Sequence, residues 1–207
     1  MAKKLTIFGA LGVFAYVVHV VLGGFLWEGY RHLHQPISDL TAQGAPDRFL
    51  LSVITFVYGV FSIVFAASAY IVIKRFAPKI SRIGILLFLA MHVISITYGL
   101  FPQDLPGAPM TFTGVMHLVI TALIVPLTIL APLLVGIGLR KVKGFESYGK
   151  YSVITGILIL IAGGSAALFF ANQWPYFGLV ERINIGVLQL WMLVTSIRLF
   201  TMKEPSI

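Results

Sequence analysis

Apolar and polar positions are not interleaved evenly along this chain. Six long apolar runs, at 5–27, 49–73, 83–101, 112–139, 151–171 and 183–200, are separated by shorter polar breaks. A helix rises 1.5 Å per residue, so about twenty residues cross a hydrocarbon core of about 30 Å. The pattern therefore predicts an all-α polytopic membrane protein with six transmembrane helices in one bundle. No run of polar sequence is long enough for a separate soluble domain, so residues 1–207 read as a single domain. The fourth run contains Pro126 and Pro132, and a kink or strong tilt is expected there. The first run follows Lys3 and Lys4 as a signal peptide would. It is longer than such a peptide's apolar core and no A-x-A-like site follows it, so it reads as a retained span.

One break is out of proportion. "HLHQPISDLTAQGAPDRF", His32 to Phe49, spends far more residues than a turn between two helices needs. Long loops in compact folds are often functional. This one concentrates ionisable and hydrogen-bonding side chains beside an otherwise oily sequence.

Composition supports the class. The chain is 58% hydrophobic and 11% charged, where soluble domains carry about 25% charged residues. It has no cysteine, which excludes disulfides, thiolate nucleophiles and thiolate metal sites. The net charge of +8 invites a nucleic-acid reading, but its distribution removes the need for one. Lys3, Lys4, Lys74, Arg75, Lys79, Arg82, Arg140, Lys141, Lys143, Lys150, Arg198 and Lys203 all fall on one side of the six spans. By the positive-inside rule that side is the cytoplasm, with both termini in it. Arg31, Arg48 and Arg182 fall on the other side, with Glu28, Asp39, Asp47, Asp104 and Glu181; only Glu146 and Glu204 lie inside. The implied partners are membrane lipids, with no nucleic acid; oligomeric state is not legible.

Ionisable residues inside spans are costly and are candidates for function. His19, His92 and His117 sit on three different spans, at depths of roughly 8 to 14 Å below the outer surface. Each is flanked at helical spacing by small or hydroxyl residues, as in Tyr16, His19, Gly23 and Gly114, His117, Thr121. The plain alternative is that each histidine bonds a neighbouring helix. The outer loops add Ser38 and Asp39, then Asp104 in "FPQDLPGAP", a turn made rigid by three prolines and a glycine, then Glu181 and Arg182 ahead of the last span. Ser38 or Asp39 is placed to cap a short helix near Leu40. Asp39, Asp104 and Arg182 suit an ion-pair network; equally, Arg182 or Arg48 suits a phosphate or carboxylate. The candidate set is therefore His117, Asp39 and Asp104 for catalysis, with Ser38, Glu181, Arg182, Arg48, His92 and His19 for ligand binding. No H-E-x-x-H, Walker A or G-x-S-x-G motif occurs, no metal site is assigned, and no cofactor is indicated. His32 and His34 read as an exposed pair. His34 and Asp39 share the H-x-x-x-x-D spacing of glycerolipid acyltransferases, but that family's Gly-rich partner motif is missing.

Taken together, "HQPISDLTAQGAP", "LFPQD", His117 early in the fourth span and "GLVERINIGVLQLW" resemble a bacterial and archaeal membrane family known as domain of unknown function 998. More remotely, "ISDLTAQGAPDRF" is similar to a segment of DRAM-like autophagy modulators and GPI-anchor lipid-remodelling proteins, also six-span proteins. Leu40, Thr41 and Asp47 depart from that pattern. The resemblance implies Ser38, Asp39, Pro46, Asp104, His117, Glu181 and Arg182 as motif positions. The remoter resemblance also implies lipid handling in or near membranes. Against a lipid-interacting or lipid-modifying protein stand a small proton-coupled transporter using the intramembrane histidines and a non-catalytic scaffold.

Overall fold

The computed structural model describes residues 1–202 and is all-helical over them. Lys203 and Glu204, counted above with the basic side, lie outside the described residues. Six spans are present: Ala2–Leu26, Arg48–Ile73, Lys79–Gly99, Phe112–Leu139, Glu146–Ala171 and Phe177–Thr201. Each packs on the next in sequence, and the sixth returns to pack on the first. The result is a closed ring of antiparallel neighbours, with the basic loops at one end and the three rim loops at the other.

The helices overrun the apolar runs. The third begins at Lys79, the fifth at Glu146 and the sixth at Phe177, each several residues before the apolar stretch it carries. Apolarity marks where hydrocarbon begins, whereas a helix continues as long as its backbone finds partners. One consequence matters below: Glu181 and Arg182 stand inside the sixth helix, in its second turn, rather than in the loop before it. The fourth span runs through Pro126 and Pro132 as one helix from Phe112 to Leu139.

Large apolar side chains are exposed in stripes at helical spacing, such as Phe14, Val17, Val21 and Phe25 on the first span, the last of them 84% exposed. Such stripes are stable only against lipid. Inside the ring, Phe65, Phe88 and Trp191 are wholly buried and meet edge to face, with Phe88 6.0 Å from Phe65 and 5.2 Å from Trp191. Between spans, glycines let backbones touch. A Cβ at Gly84 would lie 2.7 Å from Ala131 O, and one at Gly136 would lie 2.6 Å from Gly149 O. These contacts lock the third, fourth and fifth spans together, which is how small residues pack helices where no hydrophobic force joins them.

Candidate functional site

The long first loop folds down over the rim and is held from two sides. Its centre is a 3-10 turn, Ile37–Thr41, entered through Pro36. Ser38 and Asp39 lie inside this turn and do not cap it; the residue in the cap position is Pro36, which has no side-chain donor or acceptor to offer. Leu40 is wholly buried, and a Cβ at Gly23 of the first span would lie 2.9 Å from its tip. Tyr30, Ile37, Leu40 and Leu51 form a small apolar cluster that anchors the loop on the first and second spans.

The sixth span supplies the first clasp. The opening turn of a helix has N–H groups without partners, and here loop carbonyls take them: Gly178 N donates to His34 O at 3.2 Å and Leu179 N to Leu33 O at 3.0 Å. Gly178 allows this approach, since a Cβ there would strike the carbonyls of Gln35 and His32. Arg182, one turn further, donates through Nη1 to Gln35 O at 2.8 Å and to Gly178 O at 2.9 Å, and through Nη2 to the Tyr30 hydroxyl at 2.6 Å. Its Nη2 also lies 3.4 Å from His32 Nδ1. Glu181 accepts the N–H of Ile37 at 2.7 Å. The hydrogen bonds of the Arg182 guanidinium therefore go to neutral acceptors, and the expected ion-pair network takes a different form. Arg182 bonds neither Asp39 nor Asp104; it is spent on the loop backbone and a phenol. Beside it the His32 imidazole is pushed below its usual pKa, by burial and then by the Arg182 charge.

The second clasp comes from the loop between the third and fourth spans. Gln103 amide Nε2 donates to Asp39 Oδ1, and Ser38 Oγ donates to Gln103 Oε1 at 2.7 Å. Gln43 N adds a bond to Gln103 O at 2.9 Å. Asp39 is wholly buried, and its Oδ2 has no partner. Burial raises its carboxyl to a pKa of about 6, against the opposing pull of Gln103 and the Arg182 charge.

Asp104 is turned back onto the start of the fourth span. Its Oδ2 accepts Thr111 N and its Oδ1 accepts Thr111 Oγ1, both at 2.8 Å. Thr111 in turn caps the fourth span by accepting Gly114 N at 3.2 Å. The carboxylate sits directly over Gly114, where a Cβ would collide with it. One turn below is His117, buried against the Tyr98 ring at 4.5 Å. Its Nδ1 lies 3.0 Å from Phe101 O, which makes Nδ1 the protonated nitrogen and Nε2 the one with a lone pair.

The candidates thus form two groups. Ser38, Asp39, Glu181 and Arg182 meet around the first loop, while Asp104 and His117 belong to the head of the fourth span; Gln103 and Asp104, adjacent in sequence, join them. Arg48 only opens the second helix, after Asp47 in a left-handed conformation. His19 and His92 join neither group. His19 packs near Tyr16, and His92 packs on Phe88 at 4.6 Å and Tyr58 at 5.6 Å. His32 and His34 diverge, the first onto Tyr30 and the second onto Tyr176. Sequence reading passed over Tyr30, Gln35, Gln103 and Thr111. The "PQD" triplet placed Gln103 beside a singled-out aspartate; nothing marked Tyr30 or Gln35.

Six apolar helices in a closed ring, with lipid-facing stripes and a polar rim, define a multi-pass membrane protein. Residues 10–198 match the family described as Protein of unknown function (DUF998), and the chain belongs to it. No curated protein and no solved structure matches the chain.

Proposed function

We propose that this protein interacts with lipid at its outer-leaflet end, with His117 as the acid–base group, in a cell membrane where both termini face the cytoplasm. The observation that carries the reading is the orientation of His117. A carbonyl holds its Nδ1–H, its Nε2 is left to accept a proton, and a carboxylate stands one turn above it. That is the arrangement a general base needs, with geometry considered before pKa. Around it Leu100, Met110 and Phe112 are each about 70% exposed, an apolar collar on which acyl chains can lie. The similarity of the first loop to lipid-remodelling six-span proteins points the same way. On this reading the loop covers the headgroup end, and Arg182 serves by holding it in place.

A scaffold without chemistry is the second reading, favoured by one observation: the rim's hydrogen bonds are made within the protein itself, as by both Nη atoms of Arg182. Native mass spectrometry in a mild detergent separates the two. Lipid carried by the wild type and lost from His117→Ala and Asp39→Ala supports the lipid reading. A lipid-free wild type, with variants that merely unfold earlier, defeats it and leaves the scaffold.

A further inference from the structure

The buried polar groups of this bundle are satisfied very unequally at its two ends. Toward the basic end each has a partner. Ser81 donates to Val135 O at 3.0 Å, Trp191 Nε1 to Ser152 Oγ at 2.9 Å, Ser196 Oγ to Thr6 O at 2.7 Å, and Tyr148 and Thr195 share a 2.7 Å bond. Toward the rim several do not. His19 Nδ1, Asp39 Oδ2, both nitrogens of His92, Arg182 Nε, Asn184 Oδ1 and Gln189 Oε1 are buried with no partner. Buried polar atoms in proteins are almost always hydrogen-bonded, and hydrocarbon offers them nothing.

Asn184 stands apart, facing Gly163 of the fifth span. Asp39 belongs to the first loop, held by Gln103; Arg182, Gln189, His92 and His19 follow one column. Arg182 and Gln189 are seven residues apart, hence on one face of the sixth span. Gln189 Nε2 donates to the Tyr58 hydroxyl at 2.7 Å on the second span. The Tyr58 ring lies 4.9 Å from Tyr16 of the first span and 5.6 Å from His92 of the third. Tyr16 and His19 are one helical turn apart. Four spans thus turn hydrogen-bonding side chains toward one another, from the rim down to His92. Beneath His92 the column stops at Phe88, 4.6 Å away, and the wholly buried Phe65 and Trp191 close the layer.

We propose that this column is a hydrated chamber: a binding site for ordered water that runs from beneath the rim and dead-ends on the Phe65–Phe88–Trp191 floor. Water fits because the orphaned set mixes the two polarities. Gln189 Oε1 needs a donor, Arg182 Nε needs an acceptor, and a neutral imidazole such as His92 needs one of each. A cation is disfavoured, because among the described residues no carboxylate reaches the depth of His92 and Gln189, and Glu181, on the same span, accepts Ile37 N–H. Left dry, so many groups would together cost a free energy comparable to the whole stability of an ordinary domain. The floor makes the chamber a site and not a conduit. The inference does not depend on what the rim binds.

X-ray radiolysis of the purified wild-type protein tests this, because hydroxyl radicals made from ordered internal water oxidise the side chains beside it. Trp191 is the internal control: it is wholly buried, its Nε1 is paired with Ser152 Oγ, and indole is the more reactive ring. His92, at 2% exposed, is expected to oxidise faster than Trp191, by roughly fivefold or more if water sits beside it. Oxidation of His92 no faster than that of Trp191 would overturn the chamber. Loss of bound lipid in the His117→Ala variant would not bear on it.

Discussion

Arg182 makes the side-chain fork of the clasp between the first loop and the sixth span. Its planar guanidinium reaches two carbonyls and a phenol at once, and an ammonium cannot reproduce that fork. Both Arg182→Gln and Arg182→Lys are therefore expected to destabilise the fold, by about 2–4 kcal/mol in denaturant unfolding, since charge-assisted bonds contribute about 1.5–3 kcal/mol each and are not additive. Limited proteolysis should then cut within the first loop, and a resistant loop in Arg182→Gln would show that the clasp lies elsewhere. Asp39 makes a different prediction. Its carboxyl titrates near 6 in the folded protein and lower when unfolded, so the folded state holds the proton more tightly. Its contribution to stability is then fully present below about pH 4 and is lost as pH rises through about 6. Asp39→Asn keeps an acceptor for Gln103 and cannot ionise. Melting temperatures of the two proteins should diverge between pH 4 and 6, the wild type falling relative to the variant; parallel curves would refute the assignment.

At the scale of elements, the glycines of the spans fall into two classes that sequence alone does not separate. Gly136 lies against the backbone of the fifth span, with Gly149 O and Val153 N both 2.6 Å from where a Cβ would be. Gly164, in the fifth span, has open space around it. Gly136→Ala should cost about 1–3 kcal/mol through overpacking, whereas Gly164→Ala should be neutral or stabilise by up to about 1 kcal/mol by lowering the entropy lost on helix formation. Equal melting shifts for the two would mean that the fourth and fifth spans do not touch there. The same reasoning explains the helix ends. Span existence was legible from apolar length, yet Lys79, Glu146 and Phe177 are helical with no side chain capping them, because backbone partners such as Phe145 O for Gly149 N and His34 O for Gly178 N continue where hydropathy stops; the fourth span starts on a side-chain cap. Asp104 and Thr111 illustrate this: the proline-rich turn was legible, but not that its carboxylate would close back onto its own helix start.

For the whole molecule, twelve basic residues on one side predict which way the ring faces. The cysteine-free chain makes the test direct. A single cysteine at Gly107, in the second rim loop, should react with an impermeant thiol reagent applied to intact cells. One at Gly144, between the fourth and fifth spans, should react only after the membrane is opened. The reverse pattern would invert the topology. Both positions are exposed glycines with positive φ and no atom within 4 Å of a would-be Cβ, so the strain of substitution is confined to the turn.

By itself the sequence determined the class, the number of spans, the family and which end carries the polar chemistry. Each of these follows from local quantities: apolar length, the side on which a charge falls, and short motifs at the ends of helices. What only the tertiary structure decided is how the polar residues are paired. His19, His92 and His117 look alike along the chain. Rotation of each helix within the ring sends the first two into the interior column and the third to the rim beneath Asp104. Arg182 reads as an ion-pair or ligand-binding residue until the first loop, more than a hundred residues away in sequence, brings its carbonyls within reach. Asp39 reads as a helix cap or an ion-pair partner until Leu40 draws the loop into the gap between the first and second spans. Pairing depends on helix rotation and loop closure, which arise from packing across the whole ring, and no short window of sequence contains them.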